Sequence, residues 1–146
     1  MGKSTIELEN EIKKMSKLED VENLLVKEGI TPRTFGYRLI ELCNKKNLTL
    51  GELQMKVPMS KSHFYNVIKA TRKPTKEAIL KIALTLGTTL AETNELLKAS
   101  GLKELYARNP EDAIIIFGIT KGMDIAEIGE LLQGKDATIS LLDKDR

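Results

Sequence analysis

Aromatic residues are scarce in this sequence, which has no tryptophan and only three tyrosines and three phenylalanines among 146 residues. Proteins that recognise single-stranded RNA rely on aromatic side chains on which the bases stack, so the composition argues against that class of function. A core with so few rings must be aliphatic. Because leucine, isoleucine, glutamate and lysine dominate the composition, we predict an all-α fold.

Cysteine and histidine each occur once. Cys43 has no partner for an internal disulfide and lies in an apolar helical run, which is typical of a core thiol in a reduced, cytoplasmic protein. His63 has no cysteine or carboxylate cluster near it in the sequence, so we predict no metal site.

Long apolar runs and catalytic motifs are also missing. No stretch of eighteen apolar residues is present, and glutamates occupy the early positions where a signal peptide would be apolar. The sequence contains no glycine-rich phosphate loop, nucleophile elbow or paired-carboxylate pattern. Glu111 and Asp112 are adjacent acids, but they fall in the first turn of a predicted helix, where they complement its dipole. We therefore expect neither a membrane partner nor catalysis, and no cofactor.

Acidic side chains are absent from one part of the chain. Between Glu52 and Glu77 the sequence has six basic residues and no acid, whereas the remainder has seventeen basic and twenty-one acidic residues. The formal net charge of +2 thus combines +6 in this basic window with −4 elsewhere. Such a concentration of one sign is expected of a surface that binds a polyanion, although many basic faces are simply solvated. The six basic residues are Lys56, Lys61, Lys69, Arg72, Lys73 and Lys76.

The N-terminal part of the chain is predicted to form a helical arm. Its apolar residues recur at helical spacing, and Ser16 with Glu19 has the form of a capping box, which predicts a break between two short helices. Gly29 predicts the end of the second helix. This arm could pack on the rest of the chain or pair with its counterpart in a dimer.

Two short helices joined by a turn are predicted inside the basic window. A longer helix precedes them, with Thr31 as its cap and Pro32 in its first turn. Thr49 and Ser60 are the expected N-caps of the two short helices, and Pro58 lies in the turn. Five apolar residues are spaced so that the helices face each other: Leu53, Val57, Met59, Phe64 and Val67. The outward face of the second helix then carries hydrogen-bonding groups and no acid: Lys61, Ser62, Tyr65, Asn66 and Lys69.

Start and stop signals for four more helices follow Pro74. The start signals are Thr75, Thr89, Asn109 and Asp124, and the matching stop signals are Gly87, Gly101, Gly122 and Gly134. Residues 77–97 and 112–132 agree at nine of twenty-one positions when one is laid over the other. This internal similarity indicates two copies of one αα-hairpin that stack on each other. The alternative is that any two capped, leucine-rich helix pairs resemble each other to this extent.

The basic window and its surroundings resemble the Cro and phage-repressor (Xre-like) helix-turn-helix family. The resemblance covers about residues 35–90 and depends on the order of a helix, Leu48-Thr49, a turn, Ser60-Lys61-Ser62, a helix and Arg72-Lys73-Pro74-Thr75. It implies a repressor-like five-helix domain over residues 31–101, flanked by an N-terminal helical arm (1–30), a C-terminal helical hairpin (102–134) and a flexible tail (135–146). The run from Leu90 onward is also similar to the extension of small bacterial helix-turn-helix regulators.

Site residues follow from this resemblance position by position. Family members place their second helix in the DNA major groove. The base-facing positions match Ser60, Lys61, Ser62, Tyr65 and Asn66, although Tyr65 could instead be a packing residue. The positions that contact phosphate match Thr49, Lys69, Arg72 and Lys73.

Four features depart from the family pattern. Leu50 stands where a glutamine usually braces a phosphate, and Gln54 stands where a small alanine allows the helices to cross closely. Pro58 replaces the usual glycine of the turn. Cys43 and Ile68 stand where the family often has a buried arginine and glutamate. Replacing a buried ion pair by packed apolar residues is often neutral or stabilising, so the double change is compatible with the same fold.

The sequence thus favours a DNA-binding transcriptional regulator, repressor-like and homodimeric, that reads double-stranded DNA with the recognition helix 61–69. The alternative is a protein-interaction adaptor, antitoxin-like or the partner of a neighbouring enzyme, that binds through the N-terminal arm or the C-terminal hairpin. Leu50 and Gln54 favour this alternative, as does the size of the acidic helical extension.

Overall fold

In the computed structural model, residues 3–28, 34–69, 73–135 and 137–142 are described, with the side chain of Val26 excepted. All regular structure in these residues is helical, which confirms the all-α prediction. None of the helices in these ranges is long and apolar enough to cross a membrane. The helices are α1 (Thr5–Lys13), α2 (Leu18–Lys27), α3 (Phe35–Lys45), α4 (Leu50–Lys56), α5 (Lys61–Lys69), α6 (Lys76–Leu86), α7 (Leu90–Ala99), α8 (Pro110–Thr120) and α9 (Ile125–Gln133).

Helix starts after residue 48 lie where capping side chains predicted them. The side chain of Thr75 accepts a hydrogen bond from the backbone of Ala78, and Asn109 does the same for the third residue after it. Reciprocal capping boxes begin three other helices, with caps at Thr49, Thr89 and Asp124. Each cap satisfies a backbone N–H group that has no partner within the helix.

Helix ends agree with the predicted glycines in three cases and differ in detail in the fourth. Gly87, Gly101 and Gly122 have φ values of 80°, 77° and 71°, the left-handed conformation that ends a helix without steric cost to glycine. Gly134 also follows a helix end, but its φ of −78° is right-handed.

The N-terminal half contains one confirmed and one wrong boundary. The predicted break within the arm is present, since α1 ends at Lys13 and α2 begins at Leu18. The helix start predicted at Thr31 is wrong: α3 begins at Phe35 and its cap is Thr34, whose hydroxyl accepts the N–H of Tyr37 at 3.4 Å. Starting there buries the ring of Phe35 in the core. Gly29, Thr31 and Pro32 lie outside the described residues.

The core is centred on α6, which is surrounded by other helices. Ile79, Leu80, Ile82 and Ala83 of α6 are completely buried. This helix packs against α7 and α4, and α3 packs against α2, α4, α5 and α7. The hairpins α6–α7 and α8–α9 contact each other through α6 with α9 and α7 with α8, as the predicted stacking requires.

The C-terminal segment 137–142, assigned by sequence to a flexible tail, is packed against the hairpins. Leu141 is buried, and the N–H of Ser140 donates to Glu77 Oε1 at 2.6 Å. Leu142 lies over Gly129, where an added Cβ would stand only 2.7 Å from a Leu142 methyl carbon. The glycine therefore makes room for the returning chain.

Candidate nucleic-acid interface

The first helix of the basic window, α4, is fixed at its start by a capping box. The Thr49 hydroxyl accepts the N–H of Glu52 at 3.1 Å, and the Glu52 carboxylate accepts the N–H of Thr49 at 3.1 Å. The helix has only seven residues, too few to be stable alone, so its cap and its packing both matter.

A buried face joins α4 to α5, the second helix of the basic window. All five residues predicted to face inward are buried: Leu53, Val57, Met59, Phe64 and Val67. In the turn, the N–H of Met59 donates to the carbonyl of Val57 at 2.7 Å, and the Met59 side chain is buried in the hydrophobic core. The Ser60 hydroxyl caps α5 by accepting the N–H of His63 at 3.1 Å. The orientation of α5 is thus set by packing on one side and by its cap at one end.

The opposite face of α5 is open to solvent. Lys61, Ser62, Asn66 and Lys69 are all exposed, and none of their side chains forms an ion pair or hydrogen bond with another described residue. We call these four residues the α5 face. It offers two ammonium groups, an amide and a hydroxyl, and it carries no acid.

Two of the residues matched to base-facing positions are engaged within the protein. The hydroxyl of Ser60 already acts as the cap of α5. Tyr65 is half-buried, and its ring packs edge-on against Phe64 with 5.2 Å between centroids and 89° between planes. Tyr65 therefore takes part in packing and presents only part of its surface to solvent.

The residues matched to phosphate-contacting positions are placed at the two ends of the bihelical unit. Thr49 lies exposed at the start of α4, and Lys69 lies exposed at the end of α5. Lys73 is also exposed, with its Cε 3.8 Å from the position of a Cβ built on Gly101. Arg72 lies outside the described residues.

One cation of the basic window belongs to the scaffold. The ammonium group of Lys76 forms an ion pair with the buried carboxylate of Asp112, the second residue after the proline that begins α8. The N–H of Tyr106 donates to the other oxygen of that carboxylate at 2.9 Å. Lys76 is therefore neutralised locally, whereas the other described basic residues of the window are exposed to solvent: Lys56, Lys61, Lys69 and Lys73.

Three of the five residues that depart from the pattern of the resembling family are buried: Leu50, Cys43 and Ile68. Leu50 is only 6% exposed and belongs to the core. In the family that the sequence resembles, a glutamine at this position usually contacts phosphate. Cys43 and Ile68 are buried, and burial raises the pKa of the Cys43 thiol to about 11, with Glu19 adding to the effect. A Cβ on Gly36 would stand 3.2 Å from the carbonyl oxygen of Ile68, which shows how closely α3 approaches α5. Gln54 and Pro58 are half-buried.

The second helix of the arm, α2, packs on the rest of the chain next to α5. Helix α2 contacts α3, and between α2 and α5 lies a cavity of about 160 Å3 that we call the arm slot. Its wall includes Leu18, Glu19 and Glu22 from α2 and Tyr65, Ile68 and Lys69 from α5. Sequence reasoning did not foresee this position. The sequence signal for a segment that covers this surface was Leu50, an apolar residue at a position where the resembling family has a polar one.

Two polar groups near this slot are buried without a hydrogen-bond partner among the described residues. One is Oε2 of Glu22, a side chain that is 6% exposed. Burial raises the pKa of this carboxyl, and Glu19 raises it further. The other is the buried hydroxyl of Tyr37, which also has no partner within the described ranges; its pKa is raised by burial and, to a smaller extent, by Glu22. Unpaired buried polar groups are rare because each loses its bonds to water.

Comparison of the chain with known protein families, with curated proteins and with solved structures found no match in any of the three.

Proposed function

We propose that this protein is a sequence-specific double-stranded DNA-binding protein that regulates transcription, with α5 as its recognition helix. The observation that carries the proposal is the α5 face: four exposed polar side chains without partners among the described residues, on a helix whose opposite side is buried. The resemblance in sequence supports the same role, with α3 to α7 forming a repressor-like five-helix domain.

The dimensions of α5 suit a DNA groove. An α-helix with its side chains is about 10 to 12 Å in diameter, and the major groove of B-DNA is about 12 Å wide. Ser62, Asn66 and Lys69 follow one another at spacings of four and three residues, so they form one stripe along the helix. Lys61 lies beside this stripe at its N-terminal end. A helix laid in the groove would direct the whole α5 face at base edges and phosphates.

The chemistry of the α5 face matches the groups that duplex DNA presents. The amide of Asn66 can form two hydrogen bonds with adenine, and the ammonium group of Lys61 can reach the acceptors of guanine. Lys69 and Lys73 provide charge for phosphates, which set the register and supply much of the affinity. Two copies of the protein would place two such helices about 34 Å apart on successive major grooves.

Selection of bound duplexes from a random-sequence pool, with the purified full-length protein, tests the proposal. A dimer that reads DNA with α5 should enrich a palindromic consensus. If Lys69, Arg72 and Lys73 of two protomers contact six phosphates, the logarithm of the binding constant should fall with the logarithm of salt concentration with a slope of roughly −5. A pool without enrichment, or an affinity unaffected by salt, would refute the proposal.

An adaptor that binds another protein is the second candidate, because the C-terminal hairpin exposes apolar side chains. Phe117 of α8 is 48% exposed and Leu131 of α9 is 36% exposed. The burial of Leu50 also removes one polar contact that the DNA-binding family uses. Affinity purification after nuclease treatment in about 1 M salt separates the candidates, since such salt suppresses DNA binding and preserves an apolar interface. A partner retained stoichiometrically would support the adaptor.

A further inference from the structure

The arm slot is a mostly apolar cavity with two carboxylates in its wall, the buried one of Glu22 and the exposed one of Glu19. Its apolar lining comes from four different helices, with Leu18 of α2, Ile40 of α3, Leu50 of α4 and Ile68 of α5. The cavity volume of about 160 Å3 is close to that of engineered apolar cavities of about 150 Å3 that bind benzene, a molecule of six heavy atoms. The slot can therefore hold a small organic molecule.

Glu22 gives this cavity a charge preference. Its side chain is more than nine-tenths buried, it lines the slot, and its Oε2 has no hydrogen-bond partner in the part of the chain that the structure describes. An ionised carboxylate buried without a partner is strongly unfavourable, and an ammonium group that reached it would supply both charge and hydrogen bonds. Rotation about the last torsion of a glutamate is soft, so either carboxylate oxygen can turn towards such a group.

Other charged groups at the slot do not change this preference. Glu19 and Lys69 line the cavity with opposite charges, and both are exposed to water, which weakens their fields. The apolar lining would favour a hydrocarbon group on the ligand, through removal of that group from water.

We propose that the arm slot binds a small primary ammonium ion with an apolar group of about five carbons, held by an ion pair with Glu22. This site goes beyond the proposed function, and its existence does not depend on DNA binding. Tyr65 and Lys69 belong to both the slot wall and α5. If α5 reads DNA, the ligand would therefore touch the recognition helix directly and could act as an effector.

Titration of the full-length, 15N-labelled protein with 3-methylbutylammonium, at constant pH and ionic strength and without DNA, tests the site by NMR. We expect saturable shifts of backbone amides in α2 and in the second half of α5. Two comparators have the same branched chain, the neutral 3-methylbutan-1-ol and the anionic 3-methylbutanoate. Each should bind at least about tenfold more weakly, because the alcohol has no positive charge to form an ion pair with the carboxylate and the anion is repelled by it. Equal binding of the alcohol would overturn the proposal.

Variants assign the binding to Glu22. Glu22→Gln keeps the shape of the side chain and should lower the affinity for the ammonium ion about tenfold or more. Asp20→Asn is the matched control, since Asp20 is exposed on the same helix and lies outside the slot wall, and it should bind as the wild type does. Leu50→Phe keeps Glu22 but fills the cavity, so it should also abolish binding. Unchanged affinity in Glu22→Gln, unchanged affinity in Leu50→Phe, or no shift in the wild type would each refute the site as proposed.

Discussion

Asn66 offers the sharpest test of how α5 reads sequence. Its side chain is exposed and makes no hydrogen bond with another described residue, so replacing it by alanine removes no interaction seen in the protein. Any loss of binding can therefore be assigned to DNA. A bidentate contact between asparagine and adenine discriminates against the wrong base by about 1 to 3 kcal/mol, or about 5- to 150-fold in affinity.

The expected effect of Asn66→Ala is confined to one base position. Affinity for the best duplex should fall by about that factor, while affinity for duplexes that already carry the wrong base at that position should change little. Fluorescence anisotropy with the selected duplex and its single-base variants measures both values. Asn10→Ala, the same change at an exposed position of α1, is the control and should leave every affinity unchanged. Equal weakening on all duplexes would refute base reading by Asn66.

Three further changes probe the phosphate contacts, the packing and the buried acid. Lys73→Ala should weaken binding to all duplexes about equally and should reduce the dependence of the logarithm of the binding constant on the logarithm of salt concentration by about one per protomer. Fluorescence anisotropy at several salt concentrations measures both effects. A loss of affinity that differs from one duplex sequence to another would contradict this prediction. Phe64→Ala removes a completely buried ring and should lower the free energy of unfolding by about 3 to 5 kcal/mol in urea, whereas Tyr106→Ala at a 60% exposed position should cost far less. Burial raises the pKa of Glu22 above its ordinary value of 4.5, so the folded state holds the proton on this carboxyl more tightly than the unfolded state does. The contribution of Glu22 to the free energy of unfolding is therefore at its maximum below that pH and is lost as the pH rises through the folded-state pKa. Glu22→Gln should therefore gain stability relative to the wild type as the pH rises from about 4 to about 7, and a constant difference in urea denaturation would contradict the burial of that acid.

Local chemistry made most of the helix boundaries predictable. A cap such as Thr89 and a stop such as Gly101 act within one turn of the residues they fix, so the sequence contains both partners. The start of α3 was predicted wrongly because these local rules allow two answers there. Thr31 and Thr34 are both acceptable caps, and local rules cannot choose between them.

The inward face of the bihelical unit was predictable for a related reason. Residues such as Leu53 and Phe64 follow the helical period, and a short turn leaves their helices few ways to bury them. The exposed Lys61 and Asn66 are the complement of that face. Their position was thus predictable, whereas the DNA contacts assigned to them stay a prediction.

Contacts between distant parts of the chain were not predictable. Lys76 counted as a free cation in the sequence, yet its partner Asp112 is thirty-six residues away and no local pattern relates them. The position of α2 beside α5 is of the same kind, because an amphipathic helix shows that it will pack but not where. The burial of Glu22 even opposes the usual rule that unpaired acids stay at the surface.

The most direct test of the central claim is an NMR map of the protein with a duplex recovered by selection. If the α5 face lies in the major groove, the side-chain amide of Asn66 and the backbone amides of residues 61–69 should show the largest shifts. Amides of α8 and α9 should respond little. Large shifts confined to α8 and α9, with α5 unchanged, would contradict the assignment of α5 as the recognition helix.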